Sequence, residues 1–272
     1  MRSVKIKEVI DALERFAPLP LQESYDNAGL QVGLTEAEVS GALLCLDVTE
    51  RVVDEAITKG CNLIVAHHPL IFRKLSQVTD ANYVQRTVIK AIKNDIVIVA
   101  MHTNLDATFG GVNFKIAEKL GLRDVRFFGR EKVVTNPLTD KKVTGGDGVI
   151  GCFDTPLAAD DLILLLKKEF DVECVQANEL LRREIQTVAL CGGSGSFLLQ
   201  DAINAGADAF ITGEMGYHEF FGHEQEIQLC VIGHYQSEQY TTEVLRDVIE
   251  RDCPGVKCCI SEINTNPIVY FS

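Results

Sequence analysis

Apolar positions recur at Val4, Ile6, Val9, Ile10, Leu13 and Phe16, the spacing of an amphipathic helix, and Pro18 stops the pattern. A polar, glycine-containing loop follows at residues 23–30. The pattern then alternates. Short unbroken apolar runs at 42–46, 63–66 and 96–101 predict buried strands, and the segments 51–59, 84–93 and 112–120 predict helices. Between about 125 and 183 the rhythm changes. A stretch rich in Thr, Lys, Asp and Gly at 139–148 precedes a short strand, a helix at 158–170 and a strand near Val172. Strands at 188–191, 209–212 and 229–232 and helices at 197–205 and 241–251 restore the alternation. Strands apolar at every position belong in parallel sheets covered on both faces. The expected class is therefore α/β, with mostly parallel sheets flanked by helices.

The pattern also repeats. Residues 44–66 can be laid over 190–212 without a gap, placing Cys45 on Cys191, Ala56-Ile57 on Ala202-Ile203, Gly60 on Gly206 and Ile64-Val65 on Phe210-Ile211. At a slightly different offset, His102-x-x-x-Asp106 after one apolar strand matches His234-x-x-x-Glu238 after another. Two matches in the same order point to two internally duplicated lobes, with 125–185 as added material. The expected bounds are 1–124 with 228–272 for the lobe carrying the candidate ligands, and 125–227 for the second lobe.

Three of these strand ends carry chemistry. His67-His68-Pro69 leaves the run 63–66, and loops at the ends of parallel strands converge on one sheet edge. Neighbouring residues leaving a strand point in different directions, so the two imidazoles suit two metal ions better than chelation of one. The bland alternative is a pair of core or surface histidines. In His102-x-x-x-Asp106 a helical turn would bring both side chains to one face, although Asp106 is also a natural helix cap. His234-x-x-x-Glu238 repeats this arrangement, with capping by Ser237 and Glu238 as the alternative. Together they predict a two-metal site with His67, His68, Asp106, His234 and Glu238 as ligands. Nitrogen and oxygen donors without thiolates suit Zn, Fe, Mn or Ni.

Further candidates are less specific. Glu214 and His218, in the loop matching His67-His68, are read as proton-transfer or substrate-contact residues, and His102 joins them. His218 and His223 stand one residue too far apart for the helical zinc motif. The run Gly192-Gly193-Ser194-Gly195-Ser196 would serve equally as an anion cradle or as a tight turn with a serine cap.

Composition narrows the field. The chain has 272 residues, 46% apolar and 24% charged, enough to bury a core. A net charge of −13 without a basic stripe disfavours nucleic acid as a general partner, while a small substrate remains compatible. Nine cysteines, scattered and without a C-x-x-C pair, fit a reducing compartment. No apolar run approaches the ~20 residues of a membrane span, and no signal-peptide core opens the chain. A cytoplasmic protein is expected.

The segments Ser24-Tyr25-Asp26-Asn27-Ala28-Gly29-Leu30-Gln31-Val32-Gly33, Ala66-His67-His68-Pro69-Leu70-Ile71-Phe72, His102-Thr103-Asn104-Leu105-Asp106, Thr212-Gly213-Glu214 and Gly233-His234-Tyr235-Gln236-Ser237-Glu238 resemble the Nif-three-like dinuclear-metal family, also labelled GTP cyclohydrolase 1 type 2 homologue. Tyr25 stands where many relatives have tryptophan, and 125–185 is short beside relatives with a large inserted domain. The resemblance implies two interlinked α/β lobes and a homohexameric ring with metal sites facing its cavity. It implies that His68 and Asp106 bind one ion, His67 and His234 the other, and that Glu238 bridges both. The expected function is a metal-dependent, cyclohydrolase-like hydrolase acting on a small substrate. A non-catalytic metal-responsive regulator or scaffold, and a purely structural metal site, are the alternatives.

Overall fold

The periodic N-terminal segment forms α1 (Ile6–Phe16) in the computed structural model, which describes residues 3–271. Next come β1 (Gly29–Val32), β2 (Ala42–Cys45), α2 (Glu50–Lys59), β3 (Leu63–Ala66), α3 (Tyr83–Lys93), β4 (Val97–Ala100), α4 (Thr103–Asp106) and α5 (Val112–Leu120). Two long strands follow, β5 (Arg123–Thr135) and β6 (Lys142–Leu157), then α6 (Ala159–Glu169) and β7 (Gln176–Ala177). The remainder is β8 (Ile185–Cys191), α7 (Leu199–Asn204), β9 (Ala209–Thr212), β10 (Gln228–Val231), α8 (His234–Glu238), α9 (Thr241–Asp252) and β11 (Cys258–Ile260). Among the described residues no helix is long and apolar enough to cross a membrane.

The chain divides into two compact units. The first holds the described residues up to Leu105, with Thr135–Lys142 and the described residues from Thr241 onward; the second holds Asp106–Val134 and Val143–Tyr240. The lobes expected from sequence had other bounds, 1–124 with 228–272 and 125–227. Residues 106–124 and 228–240 thus fall in the second unit, and with them Asp106, His234 and Glu238.

In the first unit the strands lie in the order β1-β4-β3-β2-β11, all neighbours parallel except β1 on β4. Every residue of β2, β3 and β4 is buried, as strands covered on both faces must be. On one face Leu43, Cys45, Ile64, Ala66 and Ile98 pack with Val52, Val53 and Ala56 of α2 and Val88 and Ala91 of α3. Helix α9 packs on β2 and β11, and α1 packs on α9. The Thr49 hydroxyl caps α2 by accepting from the Val52 amide at 3.3 Å.

The second unit has the order β5-β6-β8-β9-β10-β7, with β8, β9 and β10 parallel and β6 and β7 antiparallel to their partners β8 and β10. Phe128, Ile150, Ala189, Cys191 and Phe210 pack with Leu199 and Ala202 of α7, while α5 packs on β8, α6 and α8.

The region read from sequence as a polar stretch with a short strand is instead the pair β5 and β6. Most of β5 is exposed, so no apolar run announces it. The glycines that weaken the strand signal in β6 make room for β5: a Cβ on Gly146 would lie 2.7 Å from the Phe127 ring, and one on Gly148 2.5 Å from Phe128. The strand expected near Val172 is also corrected. Val172 lies in irregular chain after the turn residue Asp171, whose φ is 51°, and the strand comes later as the two-residue β7. The helix expected at 197–205 is split into a 3-10 turn, Ser196–Leu198, and the short α7.

The duplication holds at the level of register. Ala42 pairs with Leu63 and Cys45 with Ala66; 146 residues on, Val188 pairs with Ala209 and Cys191 with Thr212. The third strand repeats it, with Leu63 opposite Val97 and Ala209 opposite Gln228. Both connecting helices end on a left-handed glycine, Gly60 (φ 68°) and Gly206 (φ 73°). There the amides of Cys61 and Ala207 return to the carbonyls of Ala56 and Ala202, at 2.8 and 3.0 Å.

Candidate metal-binding residues

In the first unit β3 ends by turning His67 and His68 out of the strand. His67 is fully buried, and its Nδ1 lies 2.8 Å from the Met101 carbonyl oxygen. A carbonyl only accepts, so Nδ1 carries the proton and Nε2 keeps the lone pair. His68 Nδ1 lies 2.7 Å from Asp47 Oδ1, and the second Asp47 oxygen accepts from the Thr265 hydroxyl at 2.8 Å. Burial acts first on Asp47 and upward, but these hydrogen bonds and the His68 charge outweigh it and lower its pKa. His102, two residues after β4, places Nδ1 2.7 Å from Asp26 Oδ1. The other Asp26 oxygen accepts from the Thr103 hydroxyl and, at 3.1 Å, from its amide. Burial again pushes upward, yet the bonds from His102 and Thr103 prevail and hold the carboxyl down at about 2. One nitrogen from each of His67, His68 and His102 lies within 4.8 Å of the others, a group that could hold a metal ion.

In the second unit α8 carries His234 and Glu238 one turn apart. His234 Nδ1 lies 2.9 Å from Glu214 Oε1, and its Nε2 lies 3.1 Å from Glu238 Oε2. Both Glu214 oxygens are engaged, the second accepting from the Ser194 hydroxyl. Burial raises the Glu214 carboxyl, and the bonds from Ser194 and His234 more than reverse it. If His234 donates through Nδ1, its Nε2 and the Glu238 carboxylate are both electron-rich. A pair 3.1 Å apart then needs a cation or a second proton between them. Glu238 itself is buried. Burial pushes the Cys191 thiol upward, and the nearby carboxylates of Asp106, Glu238 and Asp147 push it further. Cys191 is accordingly a packed thiol, unfit as a thiolate donor or nucleophile.

The Gly192–Ser196 run resolves as a structural turn. The amides of Gly192, Gly193 and Gly195 donate to Asn113, Ser237 and Thr212 side chains at 2.9, 3.0 and 3.0 Å, which leaves those donors unable to cradle an anion. Gly193 has φ 58°, and a Cβ there would meet Glu238 Oε1 at 2.3 Å, so glycine is required for the carboxylate to sit where it does.

Each predicted ligand therefore has a defined setting. His67 and His68 belong to the first unit with His102; Asp106, the last residue of α4, belongs to the second with His234 and Glu238. His218 sits exposed on a 3-10 turn, Tyr217–Phe220, with its ring against Tyr217 and Phe221. Sequence reasoning assigned no supporting role to Asp26, Asp47, Ser194, Thr265 or the Met101 carbonyl, although Asp26 and Ser194 lie in segments it quoted. Only their proximity to a strand end, as in Cys45-Leu46-Asp47, hinted at them.

The chain is similar to known proteins over nearly its whole length. A protein of Clostridium perfringens (strain 13 / Type A) named GTP cyclohydrolase 1 type 2 homolog is 34% identical over 271 residues, covering 98% of this chain and 100% of the relative. The crystal structure of Staphylococcus aureus hypothetical protein SA1388 superposes with a TM-score of 0.88 at 28% identity, covering 99% of this chain and 100% of that one. A Bacillus cereus protein related to NIF3 gives a TM-score of 0.86 at 24% identity, over 100% of both chains, and supports the fold alone. The sequence model of the Duf34/NIF3 (NGG1p interacting factor 3) family matches residues 4–267, and this chain belongs to that family.

Proposed function

We propose that this protein is a metal-dependent hydrolase built on a dinuclear centre. In this reading His68 and Asp106 serve one ion, His67 and His234 the other, and Glu238 bridges them. One observation carries it. His67, His68 and His234 each engage Nδ1 with a carbonyl or carboxylate, the arrangement that fixes the tautomer and orientation of ligating imidazoles.

When bound, two divalent ions of the Zn, Fe, Mn or Ni class would supply Lewis acidity and lower the pKa of water. The chain's own groups do the rest. Asp47, Glu214 and the Met101 carbonyl hold the imidazoles in register. His102, with its Nδ1 proton held on Asp26, presents Nε2 to take or return a proton. Glu214 has both oxygens engaged and acts as an orienter rather than a shuttle. The relatives' shared name, GTP cyclohydrolase 1 type 2 homolog, points first to GTP as the substrate to try. A homohexamer in the cytoplasm is part of the same reading, in keeping with the resemblance and with nine free thiols.

The test is a turnover screen of GTP, other nucleotides, phosphoesters and amides on metal-loaded and chelator-stripped protein. Turnover that needs the metal and falls at least about a hundredfold in His102→Gln supports the hydrolase. If no substrate is turned over and a partner protein is instead retained only when metal is present, the non-catalytic scaffold replaces it.

A further inference from the structure

Two aromatic side chains stand in solvent beside the histidine group of the first unit. Tyr25 is 67% exposed and Phe72 45% exposed. Their rings meet nearly edge to face, with centroids 6.5 Å apart and planes at 67°. Phe72 lies 6.1 Å from the His102 ring, and His102 lies 5.4 Å from both His67 and His68. Tyr25, Phe72 and His102 form a row running from the exposed phenol to an imidazole cluster, in which His67 and His68 lie against His102 and against each other.

The loops bearing these rings are fastened to each other. The Asn27 side chain donates to the Ile71 carbonyl at 2.6 Å, and the Ile71 amide donates to the Gln31 side chain at 3.1 Å. Gln31 in turn donates to the Asn27 carbonyl at 2.6 Å. Tyr25 and Phe72 are thus presented by a cross-braced surface, which lowers the ordering cost of binding. The second unit keeps rings at the matching place. Phe72 lies six residues beyond the end of β3, and His218 lies six beyond the end of β9. The His218 ring packs with Tyr217 and Phe221 at 5.2 and 6.2 Å, and both neighbours are mostly exposed.

We propose that Tyr25 and Phe72 form a stacking platform for a planar nitrogen heterocycle, of the nucleobase class, whose polar edge reaches His102. This deepens the hydrolase reading and rests on it for the location of the chemistry. The row itself argues for this occupant. One end offers aromatic faces and edges, and the other offers the His102 imidazole nitrogen, which a wholly apolar partner would strip of water without replacement. A flat heterocycle satisfies both ends, because it has a π face and hydrogen-bonding edges.

The experiment uses the metal-loaded full chain and titrates guanosine, adenosine and, as a ringless control, ribose, by calorimetry or saturation-transfer NMR. The nucleosides should bind and ribose should not. Tyr25→Ala and Phe72→Ala should each weaken nucleoside binding roughly tenfold, the scale of one base–aromatic stack. Tyr25→Phe and Phe72→Tyr, which keep the ring, should bind within about twofold of wild type. Metal content, measured separately, should not change in any of the four. Absence of nucleoside binding to the wild type, or equal binding by the alanine variants, overturns the proposal. So does a change of oligomeric mass in those variants with nucleoside binding intact, which would make the rings a contact between copies. The two readings fail separately. Ring-dependent binding by a protein that holds no metal sinks the metal centre and leaves the platform, whereas metal retention without ring-dependent binding sinks the platform alone.

Discussion

The two units repeat one βαβ frame and then use the same positions for different tasks. In the first, the residues after β3 are His67 and His68, and the loop after β2 supplies Asp47 to orient one of them. Shifted by 146 residues, these positions become Gly213 and Glu214 after β9, and Gly193 after β8. There Glu214 is the orienter and its imidazole, His234, comes from the next strand end. Gly213 is small for a reason: a Cβ would lie 2.7 Å from the Gly193 carbonyl and 2.8 Å from Ser237 Oγ. A duplicated frame thus keeps its backbone hydrogen bonds while the imidazoles and their carboxylate supports trade places along the chain. Even the crossover is preserved, since Asn62 Oδ1 accepts from the Ser40 amide and Asp208 Oδ2 from the matching Gln186 amide, at 2.9 and 3.0 Å.

The sharpest way to break this comparison is Gly193→Ala. Its methyl would fall on Glu238 Oε1 at a left-handed φ of 58°. Overpacking and the φ penalty together predict a loss of about 3–4 kcal/mol in chemical denaturation, accompanied by loss of bound metal. A variant that melts like wild type would show that Glu238 is not fixed there. Next in size are the orienters. Asp47→Asn in one unit and Glu214→Gln in the other should each weaken metal affinity about 10–100-fold in chelator competition. A fall in only one of them would mean that only one unit's histidines hold metal.

How much of this was legible beforehand follows from where the signals lie. The candidate ligands were visible because each follows an unbroken apolar run, such as 63–66 before His67. The repeat was visible because Cys45/Cys191 and Gly60/Gly206 answer backbone demands that recur with the frame. Strand β5 escaped because most of its side chains face water, and the first half of β6 because its glycines give way to Phe127 and Phe128. Asp26 and Asp47 escaped for another reason. Their partners, His102 and His68, lie 76 and 21 residues away, and nothing local marks a carboxylate as a histidine's support.

Two smaller effects sharpen the comparison. Gly60→Ala and Gly206→Ala meet no atoms within 4 Å, so only the left-handed backbone opposes them. Each should cost about 1–2 kcal/mol, and the two values should agree if the helix ends are equivalent. The smallest effect separates Asp208 from its neutral counterpart Asn62. Burial raises the Asp208 carboxyl, but the Thr187 and Gln186 amides and Arg183 outweigh it and lower its pKa below the ordinary 3.8. Because the folded value is the lower one, this stabilisation is complete above about pH 4 and disappears as pH falls through the folded value. Asp208→Asn should therefore cost about 1 kcal/mol or less at pH 7, with the gap to wild type closing in acid. A gap that widened in acid would contradict the assigned shift.

The proposed dinuclear centre is tested most directly by anomalous scattering at metal absorption edges on crystals of the metal-loaded protein. The account predicts two ions per chain, bound by Nε2 of His67, His68 and His234 with Asp106 and Glu238 completing the set. A single ion, or none near His67 and Glu238, would contradict it.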